Sequence, residues 1–414
     1  MTKIKHYGDI TMLNGADLPV VDVITGGSPC QNLSIAGNRA GLAGERSGLF
    51  LEQIRIVKEM REHDRRTTGR TGEFIRPRYM VWENVPGAFS SNGGRDFQSV
   101  LTESIKIVEP QSHDVPMPEK NKWPHSGCLY DELGGWSVAW RLHDAQFWGV
   151  PQRRKRISVV ADFGGLTAPE ILFERKGVSG DIESGGTTGE GTAGSIESGT
   201  YPSITRRYDG SACVDRGPGI VFSLDRHVVY ENHSQDSRYR ELGDISETVS
   251  AKYGTGGNNT PLVCTMQSFG EYKESEIGSS LKRRDHKDAS DLVCEIHKPV
   301  RRYTPLECER LQGYPDGWTY IGEWTDSKGK NHKDADSPRY KALGNSIALP
   351  FWFYLLRRIS AQYERPATLG SLFDGIGGFP LCWERCNGPG TAIWASEIEE
   401  FSIAVTKRHF PEED

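Results

Sequence analysis

"LPVVDVITGGSPC", Leu18–Cys30, decides the fold. Val20, Val21, Val23 and Ile24 crowd its middle, the texture of a strand buried on both faces of a parallel sheet. The run ends on Gly26 and Gly27, and Cys30 follows just outside it. A cysteine used only for packing belongs inside such a run. Past the carboxyl end of a strand, in a loop leading to a helix, a thiol can instead be pushed toward its reactive thiolate.

Working outward, "YMVWENV" (79–85) and "RISVVADF" (156–163) read as further strands of the same parallel sheet. Between the first two, "SGLFLEQIRIVKEMREH" sets Leu49, Ile54, Val57 and Met60 near one helical face. Strand, helix, strand is the unit of an open α/β sheet. A second unit closes the chain, with "ATLGSLFDGIGG", a helical stretch, and "TAIWASEIEEFSIAVTKRHF".

From 165 to 298 the texture changes. Gly177 to Thr200 is rich in Gly, Ser and Thr and reads as a flexible loop. After it, "YPSITRRYDGSACVDRGPGIV", "ISETVSAKYGTGGNNTPLVC" and "IGSSLKRRDHKDASDLVC" each pair short strand-like runs across a polar turn. That is hairpin texture, so a small β-rich domain is expected at 165–298, inserted between parts of a larger domain at 1–164 and 299–414. After 300 the pattern turns helical again and ends in "LPFWFYLLRRISAQYE".

The 414 residues allow this second core. No run of about 18 apolar residues exists and "MTKIKHYGDI" lacks a signal-peptide core, so a soluble cytoplasmic protein outside the membrane is expected. Eight cysteines show no paired framework. Only Cys382 and Cys386 lie close, and no partner pair follows at zinc spacing, so no metal is expected. The net charge of -6 argues mildly against nucleic acid. Local basic clusters such as "QRRKR" (152–156) and "LKRRDHK" (281–287) keep that partner open, because phosphate binding needs a basic face and not a basic total.

The chemistry gathers at strand ends. Glu83, in "VWENVPG", falls at the carboxyl end of its strand, where neighbouring strands of an open sheet line one crevice with Cys30. Arg154 and Arg156 enter the third strand at alternate positions and so share one side of it. "LGSLFDGIGGF" (369–379) is a strand and a glycine-rich turn, and Glu397 follows Asp374 by roughly the twenty residues that separate such a turn from a ribose-binding acid. No Gly-Lys-Ser/Thr follows, so the turn suits a nucleoside without phosphates.

Together these stretches resemble the cytosine-C5 DNA methyltransferase family. The likeness covers nearly all of the chain outside 165–298. "GGSPCQNLSIAG" resembles the family's catalytic loop, which implies Cys30 as nucleophile, Pro29 beside the cofactor, and Gln31 and Ser34 at the DNA. "ENVPG" implies Glu83 on the cytosine edge. "QRRKR" implies Arg154, which fixes Glu83 and the loop, and Arg156, which binds O2 of the base, with Gln152 at the DNA. "LFDGIGGF" resembles the S-adenosylmethionine turn, implying contacts from Phe373, Asp374, Gly375, Ile376, Gly377 and Gly378, then Glu397 and Ile398. "GDI" implies Asp9 and Ile10 at the adenine, "RSGLF" implies Leu49, and "ALGNSIALP" implies Asn345 and Ser346. "RYTPLECERLQGYPDGW" resembles the segment that supports a recognition domain.

The expected architecture is therefore a Rossmann-like S-adenosylmethionine-dependent methyltransferase sheet with a smaller β-rich target-recognition domain. The implied activity is transfer of a methyl group to C5 of a cytosine flipped from double-stranded DNA. The 26–48 loop, with Arg39 and Arg46 on phosphate, would close over that base. A monomer in a bacterial or phage cytoplasm is expected, in a restriction-modification, orphan or phage setting. A transfer-RNA methyltransferase and a DNA-binding regulator without catalysis are the rival readings. One departure is large: the glycine turn, first in the usual family order, comes last here. This resembles a circular permutation in which "KRHFPEED" and "MTKIKHYGDI" are neighbours across one surface loop.

Overall fold

The computed structural model describes residues 3–28, 48–173 and 303–411, together with the backbone of four short strands between 228 and 302. In chain order the first part runs β1 (Lys5–Tyr7), β2 (Val23–Gly26), α1 (Leu49–Thr68), β3 (Tyr79–Asn84), α2 (Arg95–Ile105), β4 (Ser126–Tyr130), β5 (Ser137–Asp144), β6 (Lys155–Asp162) and α3 (Thr167–Leu172). Strands β7 (Val228–Asn232), β8 (Tyr239–Gly243), β9 (Leu262–Cys264) and β10 (Val300–Arg302) follow. The last part runs α4 (Pro305–Gln312), β11 (Trp324–Thr325), β12 (Asn331–His332), α5 (Asp336–Asn345), α6 (Leu349–Ser360), β13 (Leu369–Leu372), α7 (Gly378–Asn387), β14 (Ala392–Ser396) and α8 (Glu400–His409).

The large sheet has the order β1-β14-β13-β2-β3-β6-β5-β4. From β1 to β3 every pairing is parallel. Alternate residues of β3 feed opposite layers: Tyr79 and Val81 pack under α6, and Met80 and Trp82 under α1 and α2. Both faces of the strand are thus covered, as its unbroken apolar run requires. α1 forms because Phe50, Ile54, Val57 and Met60 recur three or four residues apart and meet that second layer. It stops at Gly69, whose left-handed backbone (φ 70°) lets its N–H reach Arg65 O.

The third strand corrects the sequence reading. β6 is antiparallel to β3, because the chain reaches it by a hairpin from β5 and not by a helical crossover. The reversal matters for the site, since it puts the start of β6 beside the end of β3: Asn84 faces Ile157 and Glu83 faces Ser158. A parallel β6 would carry its first residues to the opposite edge of the sheet.

The chain's two ends meet as the motif order suggests. Ile4 N–H donates to Pro411 O at 3.0 Å, His6 Nε2 lies 2.8 Å from Phe410 O, and β1 pairs with β14. In the 165–298 region the described strands form a four-stranded antiparallel sheet, β10-β9-β7-β8. Its last strand lies beyond the expected boundary at 298. The Gly177–Thr200 loop and most of the three hairpin-like pieces lie outside the described residues.

Away from the crevice, an ion-pair cluster ties the lower edge. Arg78 grips the fully buried Asp162 with two bonds, Nε to Oδ1 at 2.9 Å and Nη2 to Oδ2 at 3.1 Å. Arg365 grips buried Asp22 in the same way. Removing one partner strands a buried charge, so Arg78→Ala is expected to destabilise the fold by about 3 kcal/mol, read as a lower urea midpoint.

Candidate active site

The candidate residues lie at the carboxyl ends of the parallel strands, where an open α/β sheet binds ligands. On one side, β13 ends in the turn 373–378 that the sequence reading assigns to a cofactor. Phe373, Gly375 and Gly377 take positive φ there (54°, 59° and 79°), and for Phe373 that conformation costs about 1–2 kcal/mol. The turn is tied to the next strand: Gly375 N–H donates to Glu397 Oε2 at 2.7 Å, and Asp374 N–H to Ser396 O at 3.1 Å. Glu397 Oε1 also accepts from Ile398 N–H at 2.7 Å and Glu399 N–H at 2.9 Å. Beside this carboxylate stand exposed Ile398 and half-buried Phe373. Asp9, exposed, caps the 3-10 turn that buries Ile10, accepting from Thr11 N–H at 2.9 Å.

A partly exposed carboxylate held by three backbone N–H groups, with apolar Ile398 and Phe373 nearby, has the chemistry to meet a ribose and a flat base. Leu49 is half-buried at the start of α1, Asn345 is exposed at the end of α5, and Ser346 is buried.

Asp374 is almost fully enclosed, and Ser371 Oγ donates to its Oδ1 at 2.6 Å. Burial pushes its carboxyl up to about 7; the Ser371 bond opposes this and the Glu397 charge adds to it. An acid raised in the folded state contributes stability that is complete below the unfolded value of 3.8 and lost as pH climbs through about 7. Asp374→Asn is therefore expected to stabilise the protein at pH 8 relative to pH 5, measured as unfolding free energy against wild type.

At the ends of β3 and β6, Glu83 and Arg156 form an ion pair, Oε1 to Nε at 2.8 Å, with both side chains 13% exposed. Arg156 reaches Glu83 because it lies two residues before Ser158, which faces Glu83 across the ladder. Burial pushes the Glu83 carboxyl up, while the guanidinium groups of Arg156 and Arg154 draw it back; the net direction is upward. Arg154 departs from the expected arrangement. It precedes the strand, is buried, and sends Nη2 to Gly344 O at 3.0 Å and to Ser346 O. So Arg156 contacts Glu83 directly, and Arg154 ties the start of β6 to the end of α5. Gln152, expected at the DNA, is fully buried, with neither side-chain polar atom bonded.

Cys30 lies outside the described residues, as do Pro29, Gln31, Ser34, Arg39 and Arg46. The root of their loop is fixed. Trp82 Nε1 donates to Ser28 Oγ at 3.0 Å, and Asn84 Nδ2 to Ser28 O at 3.0 Å. A Cβ on Gly27 would stand 3.0 Å from Glu83 Oε2, so this glycine lets the backbone at 27 pass close over the acid. Trp82 and Ser28 escaped the sequence reading because both look like ordinary strand-end residues.

The family model for C-5 cytosine-specific DNA methylases matches residues 2–107 and 128–361. The chain belongs to this family. The match stops short of the glycine turn, which these methylases' usual motif order places first. Among curated relatives, the DNA N-6-adenine-methyltransferase of Escherichia phage P1 is 28% identical, over 86% of this chain and 55% of its own length. The Type II methyltransferase M1.ScrFI of Lactococcus lactis subsp. cremoris is 25% identical, over 83% of this chain and 63% of its own length. The chain thus spans somewhat over half of these relatives. The crystal structure of S. pombe Dnmt2 methyltransferase overlies 86% of this chain and 83% of its own, at 15% identity and a TM-score of 0.42.

Proposed function

We propose that this methylase-family chain transfers a methyl group from S-adenosylmethionine to C5 of a cytosine flipped out of double-stranded DNA. The observation that carries the reading is the largely enclosed Glu83–Arg156 pair, whose chain neighbours Trp82 and Asn84 hold Ser28, two residues from Cys30. C5 of cytosine is a poor nucleophile until a thiolate adds to C6. Cys30 supplies that thiolate and forms the C6–S bond. Glu83, whose carboxyl burial pushes upward, shares its proton with N3 and accepts from the exocyclic amine, so electrons entering the ring are neutralised where they arrive. Arg156 holds Glu83 and presents positive charge on the O2 side of the ring.

Phe373, Glu397, Ile398 and the turn 374–378 would hold the nucleoside part of S-adenosylmethionine, with Asp9, Ile10, Leu49, Asn345 and Ser346 around it. When bound it supplies an electrophilic methyl group. Loss of the C5 proton and of Cys30 then restores the aromatic ring. Flipping costs a few kcal/mol, about the scale of one unstacked pair, and the 26–48 loop is read as the element that covers the exposed base. The 165–298 region is read as the sequence reader, its polar turns meeting groove edges and phosphates.

The test is a duplex carrying 5-fluorocytosine, incubated with protein and S-adenosylmethionine. Fluorine at C5 blocks the elimination, so a covalent protein–DNA adduct is expected, and peptide mapping should place it on Cys30. Bisulfite sequencing of DNA from cells expressing the chain then gives the target sequence. No adduct and no new methylcytosine would end the proposal.

A further inference from the structure

The segment "LQGYPDGW" touches the 373–378 turn through Trp318. The geometry points to Tyr314 and Trp318 as positioning residues that lock the 373–378 turn and join it to the arginine on the base side; this rests on the cofactor reading above.

Tyr314 is fully buried, and its hydroxyl bonds Ser346 Oγ. The same hydroxyl fills the space where Gly378 lacks a side chain: a Cβ there would overlap it and stand 2.9 Å from Ile347 Cγ1. The turn therefore cannot move toward Tyr314. Nor can it move away freely, since Trp318 Nε1 donates to Ile376 O at 2.8 Å. Trp318 is itself clamped. Its ring stacks on His409 at 3.6 Å with planes 4° apart, and His409 Nε2 lies 2.7 Å from Trp318 O.

Ser346 is the junction. Its hydroxyl meets Tyr314, and its carbonyl accepts from Arg154, whose charge acts on Glu83. One chain of contacts thus runs from the glycine turn through Tyr314, Ser346 and Arg154 to the acid. Burial pushes the Tyr314 phenol upward, so it remains a neutral hydroxyl at any working pH.

The test compares wild type, Tyr314→Phe, Trp318→Phe, Ser346→Ala and the Tyr314→Phe/Ser346→Ala double variant. Calorimetric titration with S-adenosylmethionine, without DNA, is run beside thermal unfolding. Each of the Phe variants is expected to weaken binding about tenfold, the size of one buried hydrogen bond. In the double variant the Tyr314 change should add less than its full factor to Ser346→Ala, because part of the hydroxyl's effect passes through that serine. Trp318→Phe keeps an aromatic ring for His409 and guards against misfolding of the tyrosine variant. Lower melting temperatures with unchanged dissociation constants, or full multiplication in the double variant, would overturn the inference. A wild type that binds no S-adenosylmethionine would instead remove the cofactor reading, and this inference with it.

Discussion

Cys30→Ala is expected to abolish methyl transfer while DNA and cofactor binding persist. Loss of a covalent nucleophile lowers turnover by on the order of 10^5–10^6. The reason is electronic: without a C6–S bond, C5 never gains the carbanion character that attack on a methyl sulfonium needs. Cys30→Ser should be nearly as inactive, since an alkoxide is far harder to form than a thiolate in the same loop. Single-turnover assays with labelled S-adenosylmethionine check this, and a Cys30→Ala protein with more than a trace of transfer would disprove the assignment.

Glu83→Gln is expected to cost about 10^3-fold in turnover. The amide preserves the hydrogen-bonding shape toward a cytosine edge but cannot pass a proton to N3. It also leaves Arg156 without its ion-pair partner. The pH dependence carries the sharper signature. Burial raises Glu83, so the active acid form is kept to higher pH than an ordinary glutamate, and wild-type turnover should fall as pH rises through that raised value. Glu83→Gln has no such proton to lose. Its profile should therefore lack the alkaline limb, and a limb that persists in the variant would assign it to another group.

Much of this was legible in the chain. The β-branched runs at 23–26 and 79–84 form strands because both faces are covered, and an unbroken apolar run reports that condition locally. The α1 face and the β13–α7–β14–α8 unit follow from local periodicity in the same way. The direction of β6 did not. A β-branched run reads the same either way, and only the hairpin from β5 reverses it. β5 itself, "SVAWRLHD", carries little strand signal in the sequence because its polar end breaks the apolar run.

By itself, then, the sequence determined which residues stand past the strand ends: Cys30 after β2, Glu83 at the end of β3, and a glycine turn after β13 with Glu397 following β14. Each depends on residues adjacent in the chain. The tertiary structure alone decided which guanidinium meets Glu83, that Arg154 turns to Ser346, and that Tyr314 and Trp318 brace the turn. Those contacts join residues dozens to hundreds of positions apart, and their partners follow from strand direction and helix packing, which no local pattern encodes.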